Sequence, residues 1–272
     1  MENDLIILTI AFFGASVLQA ATGVGFGVIA GPVLLMVLNS TAAIQISILQ
    51  SFLIGAVLVP GLRSQVQPIP LKKFALGSVA GIPLGCLVYL TVEIDILKLL
   101  AGLAVLCTLL FVLRSNGRKN GRGQGAGGMA AEAGERLEDV GATSFSGSGL
   151  SMGALFMGLI SGAMNGSIAM PGPVPAAWMS GVGYSKDAVR ATILAMLLFS
   201  YPAAFGLQWA LSGLTTQTIW LAAGLAPATL AGILVGRLLV RHFTEDSFRW
   251  FLVLILLATV AGLFYDSLSS LI

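Results

Sequence analysis

Residues 15–36 read ASVLQAATGVGFGVIAGPVLLM and residues 158–179 read GLISGAMNGSIAMPGPVPAAWM. Each lies inside an apolar run too long for a single crossing, since a bilayer core of about 30 Å takes roughly 20 residues of helix. Each is also interrupted near its middle. The first carries Gly23, Gly25, Gly27, Gly31 and Pro32; the second carries Gly162, Gly166, Pro171, Gly172, Pro173 and Pro175. Unpaired backbone at membrane depth is tolerated only where it lines a cavity or is buried in protein. Glycine lets the chain turn sharply, and the helix after the first break is expected to begin near Pro32, a residue suited to a first helical turn.

Around these two segments the chain has six further apolar runs of membrane-crossing length. The eight are about Leu5–Leu38, Thr41–Pro60, Ile69–Leu90, Ile94–Leu113, Leu150–Gly181, Ala188–Leu211, Thr216–Val240 and Phe248–Leu268. Of 272 residues 57% are hydrophobic and 10% charged, too few charges to coat a water-soluble globule. The expected fold is an all-α polytopic membrane protein. A Gly-, Ser- and charge-rich stretch without apolar period divides it into a first transmembrane repeat (1–114), a mobile connecting loop (115–148) and a second repeat (149–272). Basic residues scattered over loops argue against a nucleic-acid partner. Cys86 and Cys107 sit in apolar runs without metal or disulfide spacing. Acidic Glu2 and Asp4 before the first run are the reverse of a signal-peptide start, so that run is expected to stay in the mature protein.

The halves resemble each other. AGIPLGCLVY (80–89) lies over AGILVGRLLV (231–240), Asp95 and Lys98 fall on Asp246 and Arg249, and AIQISIL (43–49) lies over AVRATIL (188–194), with Gly31-Pro32 over Gly172-Pro173. If each broken run goes in and comes back, as half-helices or as two crossings, each half has five elements, up to ten in all. Thirteen of the 14 Lys and Arg residues then fall on one side and only Lys98 on the other. That side is expected to be cytoplasmic, with the 115–148 loop on it and both termini outside. An odd number of elements inverts the second half relative to the first. Trp178, Trp209 and Trp250, near run ends, are expected to sit in an interfacial belt or to pack.

Two discontinuous helices in corresponding places point to a central transport site. Half-helix N-termini offer N–H groups and positive dipole ends, which suit an anion. Gln19, Thr22, Ser161, Asn165 and Ser167 supply uncharged donors, and no carboxylate lies in either break, which disfavours a metal or amine. The candidate substrate-binding residues are Gln19, Thr22, Gly23, Gly25, Phe26, Gly27, Asn165, Gly166, Ser167, Gly172 and Arg190. Arg190, at a cytoplasmic helix start, either anchors orientation or gathers anions. Gln45, Ser47, Gln50 and Ser51 repeat at helical spacing and either line a path or bond across helices. Gly77, Gly81 and Gly85, matched by Ala228, Gly232 and Gly236, read as packing ridges. Pro83, Pro202 and Pro227 interrupt their runs. No nucleophile–base set, phosphate loop or metal-ligand cluster is present, so neither an enzyme nor a cofactor is expected.

The twin breaks (GVGFGVIAGPVLL and GLISGAMNGSIAMPGPV), the AG-x3-G stretches followed by D-x-x-K/R, and eight apolar runs split by a central loop resemble the sulfite exporter TauE/SafE family of bacterial membrane transporters. Where that family's first motif looks like G-x-G-G-G followed by proline, Val24 and Phe26 here alternate with the glycines. The second copy keeps Gly166, so Phe26 and Asn165 shape the pocket. The resemblance implies export of sulfite, sulfoacetate or another organosulfonate across the inner membrane. Residues alone reach a secondary transporter of a small anion, with a passive anion channel as the alternative. The expected partners are the bilayer and the anion, with a homodimer as a candidate assembly.

Overall fold

The computed structural model describes residues 2–23, 25–120 and 148–239, together with 257 and 262. The run Phe248–Leu268 lies outside them but for those two residues, as do Trp250, Asp246 with Arg249, and the connecting loop beyond Asn120. The described residues form nine α-helices and no strand. They are α1 (Glu2–Thr22), α2 (Phe26–Leu38), α3 (Ala42–Leu58) continued by a 3-10 turn (Val59–Gln65), α4 (Pro68–Thr91), α5 (Ile94–Asn120), α6 (Ser148–Ile168), α7 (Pro173–Val182), α8 (Lys186–Ser212) and α9 (Thr216–Leu239). Five helical stretches are long and apolar enough to cross a membrane: Asp4–Thr22, Ala42–Gln65, Pro68–Thr91, Lys186–Ser212 and Thr216–Leu238.

Both broken runs form two helices, α1–α2 and α6–α7. The first turn of α2 is not at Pro32. Glycine at position 25 adopts φ +151°, which lets α2 start at Phe26 and leaves Pro32 buried inside it. Proline has no N–H, so the carbonyl one turn before Pro32, that of Val28, loses its helical partner. In the second break Pro173 does stand at the first helical position. Helix α5 runs on to Asn120, into the stretch read as loop. Asp95 in its first turn pairs with Lys98, three residues on, at 3.4 Å.

The helices are joined most closely along glycine seams. Gly77, Gly81 and Gly85 of α4 face α6 so tightly that an added Cβ would overlap the carbonyls of Leu155, Leu159 and Ala163. Reciprocally, a Cβ at Gly158, Gly162 or Gly166 would lie 2.5–2.6 Å from the carbonyls of Phe74, Ser78 and Ile82. Contacts that advance in step along both chains mean that α4 and α6 are parallel. A second parallel seam joins α9 to α1, where Gly232 faces the Phe13 carbonyl and Gly236 the Val17 carbonyl. Removing side chains lets backbones meet where lipid gives no hydrophobic drive to pair helices. The ridges read from the sequence are therefore packing surfaces.

Helix α3 runs antiparallel to α8: Gln45 reaches the Gly213 carbonyl at 3.0 Å, whereas Gly55 meets Leu198 and Leu194. Gln50 likewise donates to the Ala222 carbonyl of α9. These two glutamines of the polar α3 face thus bond across helices. Trp178 packs edge-on against Phe74 (5.7 Å between ring centres), while Trp209 stands largely exposed.

Gly81→Ala must push α4 off α6, an overpacking cost of about 1–3 kcal/mol. The thermal midpoint in detergent is expected to fall by about 5 °C or more. Gly206→Ala, where nothing lies within 4 Å of the new methyl, is expected to leave it unchanged or raised.

Candidate anion site between the two helix breaks

Helix α1 ends where the Gly23 N–H donates to the Gln19 carbonyl at 2.8 Å, with Gly23 at φ +81°. Gly23 lies directly on Arg190: a Cβ there would sit 2.9 Å from the Arg190 Cγ. Helix α6 ends at Ile168. Ala169 then turns left-handed at φ +57°, its N–H bonding the Asn165 carbonyl at 3.2 Å while the Met170 N–H reaches the Met164 carbonyl at 3.3 Å. A left-handed alanine costs about 1 kcal/mol or more.

Carbonyls released by the breaks are met by side chains rather than by lipid, as backbone at this depth requires. Arg190 Nη2 donates to the Ala20 carbonyl. The Gln208 amide donates to the Gly166 carbonyl at 2.9 Å, the Ser161 hydroxyl to the Pro171 carbonyl at 2.6 Å, and the Tyr201 hydroxyl to the Ala169 carbonyl at 3.4 Å.

The two breaks touch. Gly27 lies so close that a Cβ on it would overlap the Ala169 carbonyl oxygen. Beside this contact is a cavity of about 10 Å³, room for little more than one water. Its wall is made by Gln19, Gly23, Gly25, Gly27 and Val28 from the first break, residues 169–173 from the second, and Leu197 and Tyr201 from α8.

Donors dominate the first break. Gln19 Oε1 accepts the Phe26 N–H at 2.9 Å, and the NH2 group of this cavity-lining side chain remains buried and without a partner among the described residues. Gly27 and Val28 stand in the first turn of α2, where N–H groups lack intrahelical acceptors and the helix dipole is positive. Helix α7 offers less: Pro173 and Pro175 have no N–H, leaving Val174 alone among its first three residues. The two half-helix starts are unequal, a difference that follows from the PGPVP sequence. Among the described residues no three His, Cys, Asp or Glu side chains gather to hold a metal ion.

This pairing of two glycine- and proline-broken helices extends over a chain that matches the family described as Sulfite exporter TauE/SafE from residue 8 to residue 263. The chain belongs to the TauE/SafE family. It is accordingly a multi-pass membrane protein of an anion-exporter family, a family of transporters and not of enzymes. No match is found among the curated proteins or the solved structures.

Of the candidate residues in this TauE/SafE chain, Gln19, Gly23, Gly25, Gly27 and Gly172 line the cavity. The others stand behind it. The Thr22 hydroxyl donates to the Leu18 carbonyl, and Phe26 is fully buried edge-on against Phe12, 5.1 Å between ring centres. Asn165 donates to the Ser200 carbonyl at 2.9 Å, Gly166 packs in the α4–α6 seam, and the Ser167 hydroxyl bonds the Ala163 carbonyl. Arg190 braces the end of α1 behind Gly23. Tyr201, Leu197 and Met170 were not among the candidates, because which helix closes over the breaks is a tertiary fact. The one local signal is a tyrosine inside an apolar run next to Pro202.

Gly27→Ala is expected to part the two breaks, lowering the thermal midpoint by about 5 °C or more. Gly31→Ala, whose methyl would meet Met170 Cε at 3.5 Å and Ser47 Oγ at 3.8 Å in ordinary contact, is expected to be tolerated in the same melting experiment.

Proposed function

We propose that this protein is an inner-membrane secondary transporter, working as an exporter, of a small anion such as sulfite, sulfoacetate or another organosulfonate. The observation that carries the reading is the Gln19 NH2 group, buried and without an acceptor among the described residues, in a side chain that lines a cavity shared by both breaks and the start of α2. A buried polar group without a partner costs free energy, and an anion supplies the missing acceptor. The α2 dipole adds to that attraction. The cavity holds about one water, so a larger anion requires the breaks to move apart, which fits alternating access better than an open pore.

The helix directions support an inverted repeat. The two tightest seams, α4 with α6 and α9 with α1, exchange under a swap of the halves, and α3 against α8 is unchanged by it. Since α9 is parallel to α1 and α3 antiparallel to α8, helices α1 and α3 start on the same side, as a run that goes in and returns requires. With the cationic side cytoplasmic, both termini and the Glu93 loop lie outside.

Gln19→Leu in proteoliposomes is expected to cut sulfite flux by about tenfold or more, the scale of one buried donor to a charged group, with folding retained. Wild-type protein is expected to show saturable counterflow of labelled sulfite. Flux without trans-stimulation would favour the passive channel. Cysteines placed at Glu93 and Lys119 are expected to label from outside and inside respectively; labelling from one face would overturn the inverted topology.

A further inference from the structure

A serine inside a helix ordinarily turns its hydroxyl back to the carbonyl four residues earlier. Ser16, Ser167 and Ser212 do so here, at 2.6–2.8 Å. Ser47 and Ser51 of α3 do not. Both are fully buried, and among the described residues neither Oγ has a hydrogen-bond partner. The other unmet groups differ from this pair. Gln19, Gln50, Asn165, Arg190 and Gln208 each hold a main-chain group with one end of the side chain and leave another atom over. The Ser200 hydroxyl is also unmet, but it stands on α8 beside Asn165, whose amide donates to the Ser200 carbonyl.

Contacts tie the two hydroxyls to the cavity between the breaks. Ser47 and Ser51 are one helical turn apart, which puts their side chains about 6 Å from each other on one face of α3. Ser51 stands within electrostatic reach of the Tyr201 hydroxyl, without the geometry of a hydrogen bond, and Tyr201 lines the cavity. Ser47 Oγ is 3.8 Å from the point a Cβ on Gly31 would occupy, and Met170 Cε is 3.5 Å from the same point. Met170 lines the cavity too. The pair therefore sits behind the wall that Tyr201 and Met170 make, between α2, α3 and α8. Gly31 is one turn beyond Gly27 along α2, and Ser47 is one turn nearer than Ser51 to the start of α3. From the contact between the breaks, the hydroxyls lead toward the end of the molecule where α2 stops and α3 begins.

We propose that Ser47 and Ser51 form a second station for the transported anion, an oxyanion of the sulfite or sulfonate type, and that the Met170 side chain is the barrier between this station and the cavity. This rests on the anion reading above. A hydroxyl rotates to donate to whatever acceptor arrives. Two hydroxyls turned away from their own helix cost the empty protein free energy that an anion restores. Methionine is unbranched and flexible, so it swings aside without moving a helix, and Gly31 leaves space beside it for a ligand to pass. With the cationic side cytoplasmic, the station lies on the outer side of the cavity, the side to which an exporter empties.

The test separates stability from flux. Removing two hydroxyls that have no partner takes away no internal hydrogen bond, so the Ser47→Ala/Ser51→Ala double variant is expected to melt in detergent at or above the wild-type temperature. Its maximal rate of labelled sulfite flux in proteoliposomes is expected to fall about tenfold. A second measurement reads access. Ser47→Cys and Ser51→Cys are treated with methanethiosulfonates carrying a sulfonate (MTSES) or a trimethylammonium group (MTSET), and the label is counted by intact mass over the wild-type value. The ratio of anionic to cationic labelling rate is expected to be about tenfold higher than at Ser40→Cys, an exposed position before α3. A wild-type rate in the double variant, a lost rate together with a lowered melting temperature, or labelling that is absent or no more anion-selective than at Ser40→Cys would overturn the station and leave the anion reading standing. Absence of flux for every small anion in the wild-type protein would overturn both.

Discussion

Backbone-to-backbone contact along the glycine seams is the constraint on which the molecule depends. Two helices in lipid gain little from burying apolar side chains against each other, because lipid tails are as apolar as leucine. They gain from close approach. Six glycines on α4 and α6 bring carbonyls within reach of the facing chain, and Gly232 and Gly236 do the same for α9 against α1. Each seam ties a helix of one half to a helix of the other. Neither half is therefore a separate packing unit, and the breaks that follow α1 and α6 are brought face to face because these helices are clamped to partners in the opposite half.

Placing two chain breaks in an apolar interior creates unmet polar groups, and much of the remaining buried polarity answers them. Gln208, Ser161 and Tyr201 take carbonyls of the second break, and Arg190 and Gln19 take groups of the first. The groups left over are uneven in kind. Among the described residues the nitrogens Gln19 Nε2 and Arg190 Nε remain, with the amide oxygens of Gln50, Asn165 and Gln208 and the hydroxyls of Ser47, Ser51 and Ser200. In a medium where each unmet group is costly, the Gln19 amide between the breaks is the group that the proposed anion would meet.

The membrane class, the two breaks, the packing role of the spaced glycines and the family were legible in the residues. They follow from composition, from run length and from glycine and proline, whose backbone effects are local. The start of α2 was misplaced by six residues, since Pro32 is a good first-turn residue while Gly25 at φ +151° allows an earlier turn that no periodicity announces. Among the candidate site residues, Gln19, Gly23, Gly25, Gly27 and Gly172 reach the cavity wall. Phe26, Asn165 and Ser167 do not, although they lie within a few residues of those that do. Side-chain direction around a sharp turn depends on dihedral angles, and a pattern of residue types carries little of that information.

The residues themselves decided that this chain lives in lipid, that two of its helices are broken, and that the breaks carry neutral donors instead of charges, because each of these is a property of short segments. Tertiary structure decided what the breaks do to one another. Only packing puts Gly27 against the Ala169 carbonyl, closes Tyr201 and Leu197 over the gap, and gives the Gln19 amide a backbone N–H for its oxygen but, among the described residues, no acceptor for its NH2. Whether a buried polar group is met depends on partners far away in the chain, and those partners are chosen by which helices the glycine seams bring together.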